Sequence, residues 1–208
     1  MLTLHYAPHT CALASHIALE QVGAHYQAHR LDFAAREQRS AGYLRLNPLG
    51  RVPALETERG VLTETPAILL YIAQTYPDAA VAPLDDAYAL AQMNAFNSYL
   101  CSTVHVAHAH RMRGARWTDD PAAIVALQKK VPQNMRDGFE LIETSFFKGP
   151  WVLGERYSVS DMYLYALATW LEGDGVDPNE FPKVADHSRR MSEWPAVQRV
   201  LAQHARAA

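Results

Sequence analysis

The sequence is poor in cysteine and has no long apolar run. Cys11 and Cys101 are the only 2 cysteines among 208 residues, which excludes the disulfide framework that holds many small secreted domains together. No segment approaches the ~18 consecutive apolar residues of a membrane span. The opening MLTLHYAPHT has neither the basic start nor the apolar stretch of a signal peptide. We therefore expect a globular, cytoplasmic protein that does not enter a membrane.

An excess of positive charge is also lacking. The chain carries 19 basic and 22 acidic residues, a formal net charge of -3, whereas a nucleic-acid-binding protein normally has a basic excess or a basic face. We therefore expect no nucleic-acid partner.

Lysine is scarce as well, because 15 of the basic residues are arginine and the first lysine is Lys129. Any anion site in the first half must use arginine, a helix N-terminus or backbone N–H groups.

The first third of the chain alternates strand-like and helix-like segments. Period-two and helical apolar spacings, with Gly and Pro at their ends, predict the order β-α-β-α-β-β-α. A strand–helix–strand start favours a parallel strand pair. The predicted strands are Leu2–Tyr6, Tyr26–Leu31, Val52–Glu56 and Val61–Thr63, and the predicted helices are Cys11–Val22, Ser40–Leu46 and one that opens at Thr65-Pro66.

The rest of the chain is predicted to be helical. Residues 76–86 contain two prolines and no helical period, and we place a linker at residues 78–86. The sequence thus predicts a small α/β domain of residues 1–77 followed by an all-helical domain of residues 87–208. The predicted helices of the second domain are Ala87–Arg113, Pro121–Phe147, Ser158–Glu172 and Pro182–Ala205, with a break near Pro195.

Cys11 is the first candidate for chemistry. It lies at the first turn of a predicted helix, where the helix dipole and free N–H groups favour a thiolate. A small buried apolar side chain is the commoner role of a free cysteine, and both interpretations stay open. Cys101 lies in the middle of a long apolar helical segment, and we expect it in the core.

Two further loop ends carry binding features. A proline that starts a strand can be cis, which turns the backbone of Val52 outward so that it can pair with an extended peptide; an ordinary turn is the alternative. Thr65 is a predicted N-cap whose helix start can hold a carboxylate, with Glu64 beside it for an amino group; capping alone is the alternative. Because such loop ends meet at one edge of a sheet, the three features together describe a receptor for a small thiol peptide.

Four motifs resemble those of the cytosolic glutathione transferases over nearly the whole chain. They are Tyr6-Ala-Pro-His-Thr-Cys-Ala-Leu-Ala-Ser-His16, Asn47-Pro-Leu-Gly-Arg-Val-Pro-Ala-Leu55, Leu62-Thr-Glu-Thr-Pro-Ala-Ile68 and Gly154-Glu-Arg-Tyr-Ser-Val-Ser-Asp161. In the last of these, Ser158 and Asp161 form a predicted capping box. A cysteine at the first helix most resembles the bacterial beta class.

The resemblance implies a thioredoxin-like first domain, an all-helical second domain, a homodimer, and glutathione as co-substrate with no permanently bound cofactor. It implies catalytic roles for Cys11 and His105. It places the electrophile near His9, His108 and Met112. The glutathione contacts that it implies are Tyr6, Thr10, Arg36, Val52, Pro53, Glu64, Thr65 and Ser98.

The sequence departs from the beta-class pattern at two of these positions. The family's lysine for the glycine carboxylate of glutathione is missing, and Arg36 is the nearest substitute, with Gln38 and Arg39 as competitors. The family's asparagine seven residues before the histidine is replaced by Ser98, with Asn97 adjacent.

The implied activity is conjugation of the glutathione thiolate to small hydrophobic electrophiles, as in detoxification. Cys11 also permits a mixed disulfide with glutathione, and so thiol–disulfide exchange. The alternative is a non-catalytic glutathione-binding or regulatory protein of the same fold. We expect no metal site, because no further ligand accompanies His105 and His108. The cluster of Arg111, Arg113 and Arg116 is either a solvated helix end or a lining for an anionic substrate.

Overall fold

The first part of the chain is a four-stranded sheet with helices packed against it. The computed structural model describes residues 1–206. The strands are β1 (Leu2–Tyr6), β2 (Tyr26–Arg30), β3 (Ala54–Thr57) and β4 (Gly60–Thr63), and the helices are α1 (Ala12–Gln21), α2 (Ala41–Leu46) and α3 (Thr65–Thr75). The sheet order is β2-β1-β3-β4. The β1–β2 pair is parallel and the other two pairs are antiparallel, which confirms the predicted parallel start and the thioredoxin-like α/β fold.

The second part is helical, as predicted, but its first long segments are interrupted. Its helices are α4 (Ala87–Tyr99), α5 (His105–Arg113), α6 (Pro121–Leu141), α7 (Val159–Ala168), α8 (Pro182–Glu193) and α9 (Pro195–Arg206). A π-helical segment, Leu100–Val104, separates α4 from α5, and another, Ile142–Phe146, ends α6. Residues 87–113 are thus helical throughout, as predicted, and the π-helical segment within them was not predicted. A π turn inserts an extra residue and rotates the following face by about 100°.

Helix α1 is the centre of the molecule. Every residue from Ala12 to Leu19 is buried, because α1 packs against α3, α7 and α9 and has no polar face to present to water. One apolar core therefore runs from β1 through α1 into the helical part. The predicted domain boundaries at residues 77 and 87 stay a prediction.

The start of α7 is fixed by the predicted capping box. The Ser158 hydroxyl accepts from the Ser160 N–H at 3.3 Å, and the Ser158 N–H donates to the Asp161 carboxylate at 2.8 Å. Asp161 also accepts from the Val152 N–H at 2.8 Å and from His187 Nε2 at 3.1 Å. Within residues 1–206, no helix is both long enough and apolar enough to cross a bilayer.

Candidate active site

A cavity of about 260 Å³ lies between the sheet part and the helical part. Its walls come from the loop after β1, the loop before β3, the start of α3, helix α5 with the turn that follows it, and helix α7 with the turn that follows it. The predicted site residues among its lining are His9, Thr10, Cys11, Val52, Pro53, Glu64, Thr65, His105 and His108. The structure therefore brings together the three loop ends that the sequence singled out.

Cys11 is a protonated thiol at neutral pH. Burial raises its pKa to about 11, although a hydrogen bond from Thr65 and the charge of Arg113 act in the opposite direction. The Cys11 Sγ donates to the Val52 carbonyl at 3.7 Å. Burial therefore outweighs the field of the α1 N-terminus, and of the two interpretations left open for Cys11 the structure favours the buried, protonated thiol.

The loops on either side of Cys11 hold backbone and hydroxyl groups toward the cavity. The Val52–Pro53 peptide bond is cis, as the sequence suggested. Thr10 supports the start of α1, because its hydroxyl accepts from the Ala12 N–H at 3.3 Å and donates to the Ala7 carbonyl at 2.7 Å.

Helix α3 begins one residue earlier than the sequence predicted. Glu64 is the N-cap residue of α3, with a φ of 68°, and Thr65 is the first helical residue. The prediction of Thr65 as N-cap is wrong by one position. The first turn still leaves N–H groups free for a carboxylate, and both side chains line the cavity.

The opposite wall is built on two histidines and a tryptophan. The His108 ring stacks on Trp170 at 4.0 Å, and the His105 ring meets the edge of Trp170 at 5.1 Å. The His108 Nδ1 lies 2.7 Å from the carboxylate of Asp174, which is fully buried and also pairs with Arg111 at 3.3 Å. Because Asp174 accepts at Nδ1, the ring of His108 is held in one orientation.

His105 is neutral under ordinary conditions. Its pKa is lowered to about 3, mainly by burial and to a smaller extent by the charges of Arg113, His108, Arg116 and Arg51. A neutral imidazole can donate or accept one hydrogen bond, but with so low a pKa it is a weak base. Its position suits a hydrogen-bonding role better than proton abstraction.

Four of the predicted site residues do not line the cavity. Tyr6 alternates with His5 along β1, so its ring packs under α1, 4.9 Å from the ring of His16. Ser98 is exposed, whereas Asn97 beside it is buried and accepts from Ser160 at 2.9 Å. Met112 is 79% exposed on the outer face of α5.

Arg36 is the fourth of these residues. It lies in a left-handed backbone conformation with a φ of 57°, and its side chain is exposed. Its competitors Gln38 and Arg39, two and three residues further on, both line the cavity.

Sequence reasoning missed several cavity residues. Cys101 was expected in the core, but it is half-buried and lines the cavity, because it lies on the π-helical segment. Tyr163, Trp170 and Arg51 also line it. No sequence pattern indicated Trp170 as a cavity residue. It lies in the turn after α7, whereas the sequence predicted that the helix continues to Glu172, so this turn was not expected.

No group of three or more histidine, cysteine or acidic side chains within residues 1–206 is arranged to hold a metal ion. The rings of His105 and His108 are 6.5 Å apart, and the Nδ1 of His108 is engaged by Asp174.

The fold and the cavity together define a protein with a thioredoxin-like domain that presents a thiol, a peptide-like edge and a helix start to one ligand site. The family model described as "Glutathione S-transferase, N-terminal domain" matches residues 2–74. A glutathione transferase homologue from Sulfitobacter, solved with bound glutathione, is 42% identical, with 98% of each chain covered and a TM-score of 0.95.

Two further relatives agree. The bacterial beta class glutathione S-transferase of Sphingomonas chungbukensis is 31% identical, with 97% of this chain and 98% of that chain covered and a TM-score of 0.84. Glutathione S-transferase GstA of Escherichia coli O157:H7 is 27% identical over 204 residues, which cover 96% of this chain and 97% of that protein. The chain therefore belongs to the glutathione S-transferase family of enzymes, and the resemblance to its bacterial beta class is confirmed.

Proposed function

We propose that this protein binds glutathione in the cavity and conjugates its thiolate to a small electrophile with an apolar body. The observation that carries the proposal is that Cys11, Val52–Pro53, Glu64–Thr65 and His105 come from four separate segments and line one cavity. A scaffold protein has no need to gather a thiol, a peptide edge, a helix start and a histidine in this way.

The binding roles follow from the chemistry of each wall. The γ-glutamyl carboxylate lies on Thr65 and the first turn of α3, and its ammonium lies against Glu64. The cysteinyl backbone pairs with Val52, as in strand addition. The glycine carboxylate goes to Arg39, which lines the cavity where Arg36 does not. The solved Sulfitobacter homologue contains glutathione, which supports glutathione as the ligand.

The thiol of glutathione, rather than that of Cys11, is the nucleophile in this proposal. Cys11 is protonated at neutral pH, so its S–H can donate to a glutathione thiolate beside it. The α1 N-terminus and Arg113 stabilise the same negative charge. The thiol proton leaves to solvent, because His105 is too weak a base to hold it.

We propose conjugation as the main reaction and disulfide exchange as a minor one. Exchange through Cys11 needs its thiolate to attack a disulfide, and a pKa of about 11 leaves little thiolate at neutral pH. A Cys11→Ala variant should therefore lose any exchange activity and keep conjugation at a reduced rate, because the α1 N-terminus and Arg113 still stabilise the glutathione thiolate. Loss of both activities with glutathione binding intact would show instead that Cys11 is needed to activate the thiol.

Calorimetric titration with glutathione and turnover of 1-chloro-2,4-dinitrobenzene test the proposal. Thr65→Val should weaken glutathione binding about tenfold, because it removes a hydrogen bond to a charged group. Thr75→Val, at the exposed end of α3, is the matched control and should leave binding unchanged.

Two results would overturn the proposal. No binding at millimolar glutathione would remove its basis. Binding without turnover of aryl halides, epoxides and disulfides would favour the non-catalytic, regulatory alternative.

We also propose that the protein is a cytoplasmic homodimer that acts in detoxification. The free thiols of Cys11 and Cys101 suit a reducing compartment. The dimer is inherited from the family resemblance, and light scattering of the purified protein tests it directly.

A further inference from the structure

The cavity carries an excess of positive charge. Arg39, Arg51, Arg113 and Arg116 line it, and Glu64 is the one acidic residue among its lining residues. Within residues 1–206, none of these four guanidinium groups forms an ion pair with a carboxylate. Their neighbour Arg111, in contrast, pairs with Asp174.

The four arginines act on one another. The pKa of Arg116 is lowered to about 10, first by burial and then by the charges of Arg51, Arg113 and Arg39. Bringing like charges together in a partly buried site is unfavourable, and a bound anion relieves the repulsion. The arrangement is therefore suited to anionic ligands.

Glutathione accounts for only part of this charge. In the proposed binding mode the γ-glutamyl carboxylate needs no arginine, because the first turn of α3 and Thr65 receive it. The glycine carboxylate is on the side of the cavity formed by Gln38, Arg39 and Arg51. Neither carboxylate of glutathione is then assigned to Arg113 or Arg116, and Arg113 acts on glutathione only through the charge of its thiolate.

Arg113 and Arg116 are on the wall where the electrophile must bind. They come from the end of α5 and from the turn Gly114–Arg116, and both act electrostatically on His105. Arg113 also acts on the Cys11 thiol. Trp117 and Trp170 line the same cavity and offer aromatic surface beside this charge.

We propose that the electrophilic substrate carries an anionic group, such as a carboxylate or sulfonate, which Arg113 and Arg116 bind while the apolar body lies against the two tryptophans. The proposal rests on the conjugating function proposed above. In the reaction with an aryl chloride, the glutathione sulfur forms a bond to the ring carbon. The carbon–chlorine bond breaks, chloride leaves with the electron pair, and the thiol proton goes to solvent.

A pair of substrates that differ only in charge tests this. The probes are 4-chloro-3,5-dinitrobenzoate and its neutral methyl ester, with each kcat/KM divided by the rate constant of the uncatalysed reaction with glutathione. We expect the wild-type protein to favour the acid. Arg113→Gln and Arg116→Gln should each lower the acid-to-ester ratio about tenfold, the loss of one charge-assisted hydrogen bond. Both probes react with the same glutathione thiolate, so any effect of Arg113 on activation of that thiol cancels in the acid-to-ester ratio.

Arg59→Gln is the matched control, because Arg59 is exposed in the β3–β4 turn and is not part of the cavity lining. It removes the same net charge and should leave the ratio unchanged. A higher salt concentration should lower kcat/KM for the acid and not for the ester.

The two proposals fail in different ways. Equal use of acid and ester, unchanged in Arg113→Gln and Arg116→Gln, would overturn the anionic-substrate proposal while leaving the transferase proposal intact. Absence of turnover of both probes together with absence of glutathione binding would overturn the transferase proposal itself.

Discussion

At the scale of single residues, Cys11 shows burial outweighing a helix dipole. Moving a thiol pKa from the ordinary value near 8.5 to about 11 corresponds to roughly 3 kcal/mol against the thiolate. A helix N-terminus contributes about 0.3–1 kcal/mol in the other direction. The sequence shows that Cys11 lies at a helix N-terminus and so feels the helix dipole. The degree of burial of its thiol depends instead on the helices that pack over α1.

This pKa gives a pH prediction for Cys11. In a Cys101→Ala background, alkylation of Cys11 by iodoacetamide should rise about tenfold for each pH unit between pH 7 and pH 10, since only the thiolate reacts and its fraction grows up to the pKa. The rate is measured by mass spectrometry of the intact protein, with free cysteine as reference. A rate that levels off near pH 7 to 8 would show a thiolate and contradict the assigned protonation state.

His108 is a second residue whose role depends on distant neighbours. Its partner Asp174 is 66 residues away in sequence, and its stacking partner Trp170 is on the turn after α7. The sequence indicated His108 as a candidate. It gave no signal for Asp174, because a single buried acid in a turn has no spacing pattern.

At the scale of elements, the sequence predicted the starts of several helices correctly, because a local capping residue or a proline determines where they begin. The capping box at Ser158 and Asp161, the prolines at 182 and 195, and Ser40 before α2 were all visible in the sequence and all start helices. The π-helical segment Leu100–Val104 was not visible, because its residues continue the helical pattern. Its extra residue sets the rotation of α5, and so which histidines reach the cavity.

The cap of α7 is predicted to be a strong contributor to stability. Asp161→Asn replaces a buried carboxylate that accepts hydrogen bonds from the Val152 N–H, the Ser158 N–H and His187 Nε2. Leaving such buried donors poorly paired should lower the free energy of unfolding by about 3 kcal/mol. Urea unfolding followed by circular dichroism measures the change.

The control is Asp186→Asn on the exposed face of α8, where Asp186 pairs with Arg189 and Arg190. It should leave the free energy of unfolding nearly unchanged, because exposed ion pairs contribute little. Equal decreases in the free energy of unfolding for the two variants would show that the buried cap contributes no more to stability than the exposed ion pairs of Asp186.

At the scale of the whole molecule, a pair of histidines links the last helix, α9, to helix α1 of the sheet part. His16 Nδ1, on α1, lies 3.0 Å from His204 Nε2, on α9, and the His204 ring stacks on Tyr6 at 4.7 Å. Burial lowers the pKa of His16 to about 4. The pKa of His204 is also lowered to about 4, mainly by burial and to a smaller extent by the charges of His16, His9 and Arg30.

Acid should therefore weaken the folded state. Both histidines are neutral when folded, whereas in the unfolded chain they titrate near 6.5. Between about pH 6.5 and pH 4 the unfolded state binds more protons, so the free energy of unfolding falls as the pH falls through this window and is fully retained above it. His204→Gln should flatten this dependence by about one proton, measured from urea midpoints between pH 7.5 and pH 4.5.

The control for this experiment is His25→Gln, since His25 is exposed before β2. It should keep the wild-type pH dependence. If His204→Gln and His25→Gln behave alike, the histidine pair does not contribute to the acid sensitivity.

By itself, the sequence determined the order of elements, the parallel start of the sheet, the caps, and the three loop ends that carry the thiol, the peptide edge and the carboxylate site. These depend on local spacing and on residues whose backbone or capping preferences are strong. The tertiary structure alone decided which side chains share the cavity: Arg39 and not Arg36, Cys101 and not Ser98, and Asp174 behind His108. It also decided that the Cys11 thiol is protonated and that four arginines meet without a carboxylate partner among the described residues, because burial and charge depend on what packs together across the chain.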